Sequence, residues 1–122
     1  MNIALSSVII DTADLEPEGA FWHRLLGGSI TRTPTHHFVQ APGMPVLVIQ
    51  SAPGHVAPEW PDGISQQMHL DFAVDDLPVA DRTAMEAGAR RLRPTGDVHP
   101  DSRTGSRVYA SPAGHPFCLR SA

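Results

Sequence analysis

His69 and Asp71 are the residues whose types and spacing point first to chemistry. They lie in the stretch Gln67-Met68-His69-Leu70-Asp71-Phe72-Ala73-Val74-Asp75-Asp76-Leu77-Pro78. An imidazole titrates near neutral pH and can act as general base or metal ligand. A carboxylate two residues further along a strand, about 6.5 Å away between Cα atoms, can orient that imidazole or hold sheet hydrogen bonds. Met68, Leu70, Phe72 and Val74 alternate with Gln67, His69, Asp71 and Ala73, which predicts a strand with one apolar and one polar face. His69 and Asp71 share the polar face. The bland alternative for His69 is a polar strand residue held by hydrogen bonds. Cys118, the single cysteine, alternates with Phe117 and Leu119 and is predicted to point the same way as His69, as a small hydrophobe, a ligand or a nucleophile. Arg107 and Tyr109 alternate with Val108 and can offer a guanidinium and a hydroxyl to a ligand. Trp60, flanked by Pro58 and Pro61, reads either as a stacking lid over the site or as a seal against a second chain.

The elements that must position these residues come in two similar halves. Ile3 to Asp11 is an apolar, β-branched run that reads as a largely buried strand, and Asp14 is placed to cap a helix with its carboxylate. That helix carries Leu15, Phe21, Trp22, Leu25 and Leu26 on one stripe and ends at Gly27-Gly28. Strands are predicted near Ser29 to Thr33, His37 to Ala41 and Pro45 to Ser51; His36 and His37, as neighbours on one strand, must face opposite ways. Residues 53–66, rich in Pro and Gly, read as a linker between module one (1–52) and module two (67–122) of a single domain. In module two a strand over Met68 to Val74 leads to Asp76 as cap. A helix follows, with Leu77, Ala80, Ala84 and Ala87 on its stripe and Gly88 as its stop. Strands follow near Arg90 to Arg93, Ser106 to Ala110 and Phe117 to Arg120, the last two joined by the turn Ser111-Pro112-Ala113-Gly114. Asp14 and Asp76 are 62 residues apart, and the same step sets Ser7 opposite His69.

The global numbers exclude several classes of function. The 122 residues carry 13 acids against 9 bases, net charge −4, and every base is Arg, with no run of like charge. That argues against nucleic acid and anionic membrane as partners. No apolar run approaches the ~20 residues of a membrane span, and the N-terminus lacks an export pattern, so a soluble, cytoplasmic protein is expected. One cysteine excludes an intrachain disulfide.

The pieces Phe21-Trp22-His23-Arg24-Leu25-Leu26-Gly27, His69-Leu70-Asp71-Phe72-Ala73-Val74-Asp75-Asp76-Leu77 and Ser111-Pro112-Ala113-Gly114-His115-Pro116-Phe117-Cys118-Leu119, set in two β-α-β-β-β halves, resemble the vicinal oxygen chelate superfamily. This is the group of glyoxalase, bleomycin-resistance and extradiol-dioxygenase-like proteins, and the likeness is to its small glyoxalase-like domain members. The resemblance implies an α+β fold whose curved sheets surround a cleft. In metal-using members it implies one ligand from the first and last strand of each half. Those places fall on Ser7, Gln50, His69 and Cys118, with Leu47 replacing Gln50 under a second count of the register. Ser, Gln, His and Cys make a weak donor set, so the expected state is a cleft without metal, the alternative being one divalent ion. A metal-free site would bind a small organic molecule through Ser7, Asp71, Trp60, Arg107 and Tyr109 beside His69. The alternative is a metal-dependent lyase, isomerase or dioxygenase acting on a small oxygenated substrate. A homodimer is expected, because paired chains would cover open sheet edges.

Overall fold

The computed structural model describes residues 1–60 and 62–121; Pro61, in the expected linker, and Ala122, at the end of the expected second module, lie outside them. The elements run β1 (Ser7–Thr12), α1 (Leu15–Leu26), β2 (Ser29–Arg32), β3 (His36–Gln40), β4 (Val46–Ser51), β5 (Leu70–Val74), α2 (Leu77–Ala87), β6 (Arg90–Arg93), β7 (Ser106–Ala110) and β8 (Pro116–Ser121). This is the α+β plan of two β-α-β-β-β modules read from the sequence. The chain divides into two compact units, Met1–Val56 and Ala57–Ala122. Each unit holds one open four-stranded mixed sheet, ordered β1-β4-β3-β2 in the first and β5-β8-β7-β6 in the second. Among the described residues no helix is long and apolar enough to cross a membrane.

In the first unit β1 runs parallel to β4, and the remaining pairs are antiparallel. Val39, Leu47 and Ile49 turn to one face and are buried, as are Phe21 and Trp22 on the inner stripe of α1. The Trp22 indole N–H donates to Glu18 Oε2 one turn earlier at 2.9 Å, which lets an acid sit inside the module with its acceptor used. Gly19 has a related reason. A Cβ there would overlap Nδ1 of His37, so only glycine lets the helix lie this close to the buried imidazole. Burial holds the His37 pKa below its ordinary value of 6.5.

Two sequence expectations change in this unit. The strand begins at Ser7, not at Ile3, and Ile3 and Leu5 are exposed at 83% and 70%. Its partner β4 starts only at Val46, after Pro45, so there is no ladder for the earlier residues to join. Asp14 stands at the N-cap but makes no side-chain cap hydrogen bond. The Thr12 hydroxyl organises that turn instead, accepting the Asp14 N–H at 3.2 Å and donating to the Asp14 carbonyl at 3.0 Å.

In the second unit Asp76 does cap α2, accepting the Val79 N–H at 3.1 Å, and Gly88 ends the helix at φ 120°. Leu77, Ala84 and Ala87 are buried as expected, but Ala80 is half-buried and Asp81 joins the buried side. Arg91 binds Asp81 through two bonds of 3.0 and 2.7 Å, and the Tyr109 hydroxyl donates to it at 2.7 Å. Burial pushes the Asp81 carboxyl up, but the hydrogen bonds from Arg91 and Tyr109 outweigh that and hold it below its ordinary value. The strand β5 starts at Leu70, and Met68, expected on its apolar face, is 83% exposed. Here too the strand begins where its partner allows, with Leu70 opposite Phe117.

Candidate functional site

Strand register decides what shares a face in the second unit. Leu70 lies opposite Phe117, Asp71 opposite Cys118, and Cys118 opposite Val108. Side chains alternate along each strand, so Phe117, Leu119, Arg107 and Tyr109 face α2 while Asp71, Cys118 and Arg120 face away from it. On that second face a cluster forms. His69 Nε2 is 3.2 Å from Asp71 Oδ1, and Arg120 Nη2 donates to Asp71 Oδ2 at 3.1 Å. The Trp60 ring stacks on the His69 ring at 6.5 Å between centroids and 21° between planes.

The segment carrying Trp60 is seated by a glycine. Gly114, at φ 89° in the turn before β8, has Ala57 so close that a Cβ would stand 2.5 Å from the alanine methyl. The open glycine therefore admits the 57–60 segment against the turn that leads into β8.

Charge in the cluster centres on Asp71. The Cys118 thiol donates a hydrogen bond to it, and this bond, ahead of the opposing effect of burial and the help of Arg120, holds the carboxyl below its ordinary value. Burial, reinforced by Asp71, pushes the Cys118 thiol up to about 11, so it is a neutral donor at physiological pH and a poor nucleophile.

The other expected residues are placed elsewhere. Tyr109 is fully buried, stacks on Phe117 at 5.4 Å and is committed to Asp81. Arg107 is also buried on the α2 side, its Nη2 donating to the carbonyls of Pro94 and Gly96. Neither joins His69, Asp71 and Cys118, because β7 contributes Val108 to that face. Ser7 and Gln50 belong to the first unit, on the face of its sheet turned away from the buried Leu47 and Ile49. The Gln50 amide is used at both ends, with Oε1 3.3 Å from His36 Nε2 and Nε2 donating to Asp11 Oδ1 at 3.1 Å.

The step of 62 residues that joins the two helix caps also carries Asp71 onto Ile9 and His69 onto Ser7. Ile9 pairs with Val48, so Val48, and neither Gln50 nor Leu47, stands where Cys118 stands in the second unit. Gln50, opposite Asp11, takes the place of Arg120, opposite Ala73. Arg120 joins the cluster without having been expected there from the sequence, although its spacing of two from Cys118 places it on the same face.

His69, Asp71 and Cys118 offer a nitrogen, an oxygen and a sulfur donor within 4.8 Å of one another. Zinc takes all three atom types, so this set fits a divalent cation in chemistry and spacing. The thiol proton and the Arg120 contact on Asp71 would have to be displaced or shared for an ion to bind.

Two β-α-β-β-β modules, the second with the His69, Asp71 and Cys118 donors on the face of its sheet away from the helix, follow the plan of the vicinal oxygen chelate class of proteins. The sequence signature of the Glyoxalase-like domain spans residues 7–120, and the chain belongs to that family. No curated protein matches it in sequence. Among solved structures it is similar to the genomically encoded fosfomycin resistance protein FosX from Listeria monocytogenes, at 14% identity and TM-score 0.72 over 100% of this chain and 95% of that one. It is also similar to a glyoxalase/bleomycin resistance protein/dioxygenase family enzyme from Burkholderia phytofirmans PsJN, at 17% identity and TM-score 0.69, covering 95% and 96% of the two chains. The oxidase ChaP-H2 matches at 18% identity and TM-score 0.69, covering 100% and 95%. At these identities the likeness is one of fold.

Proposed function

We propose that the face bearing Trp60, His69, Asp71, Cys118 and Arg120 binds a small oxygenated organic molecule without needing a metal. The observation that carries this reading is the half-buried Trp60 ring stacked on His69 beside the Asp71–Arg120 pair. Small-molecule sites combine apolar and aromatic side chains with a few placed polar groups, and this face offers both kinds. Module one holds Ser7, Ile9 and Val48 at the mirrored positions and offers no strong donor there, which favours binding over metal chemistry. A cytoplasmic homodimer remains part of this reading.

Tryptophan emission tests it. Trp22 is buried in the other unit and supplies a steady background, so a change on ligand addition reports Trp60. Fosfomycin is the first compound to try, since a fosfomycin resistance protein shares the fold, followed by a panel of small oxygenated molecules. A saturable change, absent in Trp60→Phe, is expected for at least one compound. No saturable change across the panel would count against the reading.

The close grouping of the three donors favours a second reading, a metal-dependent lyase, isomerase or dioxygenase. His69, Asp71 and Cys118 would hold the ion, which would supply Lewis-acid stabilisation of charge on neighbouring substrate oxygens. Near one equivalent of metal per chain by elemental analysis, lost in both His69→Ala and Cys118→Ala, would establish it in place of the first.

A further inference from the structure

On the α2 side of the second sheet, Arg107 is 6% exposed and has no carboxylate in ion-pair contact among the described residues. A guanidinium carries five N–H donors. The two on Nη2 reach the carbonyls of Pro94 and Gly96, while Nε–H is buried without an acceptor and Nη1 has none among the described residues. A buried positive charge served only by neutral carbonyls is incompletely compensated. The nearby acid, Asp81, is already taken by Arg91 and Tyr109.

This side chain borders a cavity of about 350 Å³, within the range of small-molecule sites. Its wall includes the hydroxyl residues Ser102, Thr104 and Ser106 and the first residue of α2, Leu77, where the helix dipole is positive. Of the other acids around it, Asp97 on the wall is paired with Arg91 at 3.0 Å, the cap Asp76 with Arg103 at 3.3 Å, and Asp101 lies 3.9 Å from the wall residue His99.

We propose that this cavity is a second ligand site, which takes the oxyanion group, carboxylate or phosphate, of a small molecule with Arg107 as its anchor and the Ser102 and Thr104 hydroxyls as supporting donors. It lies on the opposite face of the sheet from Asp71 and Cys118, so it stands or falls independently of the reading above. Guanidinium planes hold both kinds of oxyanion through paired N–H bonds.

The test follows the Arg107 Nε–Hε resonance of the full chain, assigned through its own side-chain couplings, while inorganic phosphate and, separately, acetate are added. Chloride at matched ionic strength sets the baseline. A saturable shift with phosphate or acetate is expected, and the tighter of the two names the group. Thr104→Glu sets a carboxylate on the wall from an exposed position and should weaken that binding by roughly tenfold. A shift no larger than that with chloride, or a saturable shift that Thr104→Glu leaves unchanged, overturns the proposal.

Discussion

The two modules repeat one backbone plan and use its equivalent positions differently. Where module one has Ser7, Ile9 and Val48, module two has His69, Asp71 and Cys118, and where module one has Gln50, module two has Arg120. Module one spends its polar groups on each other, in the row Asp11, Gln50 and His36 across three strands. Module two gathers His69, Cys118 and Arg120 around the Asp71 carboxylate, with Trp60 stacked on His69. Repetition of a fold thus leaves its equivalent positions free to carry different side chains.

The helices differ in the same sense. Glu18 of α1 accepts from the Trp22 indole, and Asp81 of α2 ties its helix to β6 and β7 through Arg91 and Tyr109. The Asp81 tie holds a guanidinium across elements, so breaking it should be costly. Asp81→Asn leaves the Arg91 charge with only the exposed Asp97 as its carboxylate and is expected to lower stability by about 3 kcal/mol, read as a fall in the urea midpoint. Glu18→Gln, which keeps an acceptor for the Trp22 indole, should cost less than half as much; equal losses would erase the distinction.

Gly19→Ala probes the corresponding seam of module one. The added methyl must displace the buried His37 ring, and a loss of about 1–3 kcal/mol is expected. His37→Ala in the same background should remove most of that penalty, a coupling that a double-mutant cycle measures.

Acid separates the modules by pH. His37 has a folded pKa below its ordinary 6.5, so its contribution is complete above 6.5 and declines as the pH falls from there through the folded value. Asp81 has a folded pKa below its ordinary 3.8, so its contribution persists to lower pH and declines only beneath 3.8. Amide exchange should show module one loosening first on acidification, and His37→Phe should delay it. Loosening of module two at the higher pH would contradict this order.

The sequence made the order of elements legible because its signals are local: the alternation in Leu70 to Val74, Asp76 before α2, and glycines after both helices. Strand ends were not legible, since Ile3 and Met68 fit a strand by type but lack a partner to pair with. His69, Asp71 and Cys118 could be read together because period-two alternation puts them on one face. Arg107 and Tyr109 obey the same alternation on the opposite face, which β7 fixes only through its pairing with β8. The family resemblance points to Gln50 and a count from the turns to Leu47, and the pairing of Ile9 with Val48 sets the mirrored position between them, two residues from the first and one from the second. Asp81 was hidden because an acid within an apolar stripe shows its meaning only when Arg91 and Tyr109 arrive from distant strands.

Amide shift mapping, with each compound that alters Trp60 emission, is the most direct test of the claim that module two carries the binding face. The native chain is to be compared with His69→Ser, which copies the residue of module one into module two and, at an exposed position, should change stability by no more than about 0.5 kcal/mol. The account predicts shifts concentrated at Trp60, His69, Asp71, Cys118 and Arg120 and strongly reduced in the variant. Shifts concentrated at Ser7, Ile9 and Val48, or unchanged in the variant, would contradict it.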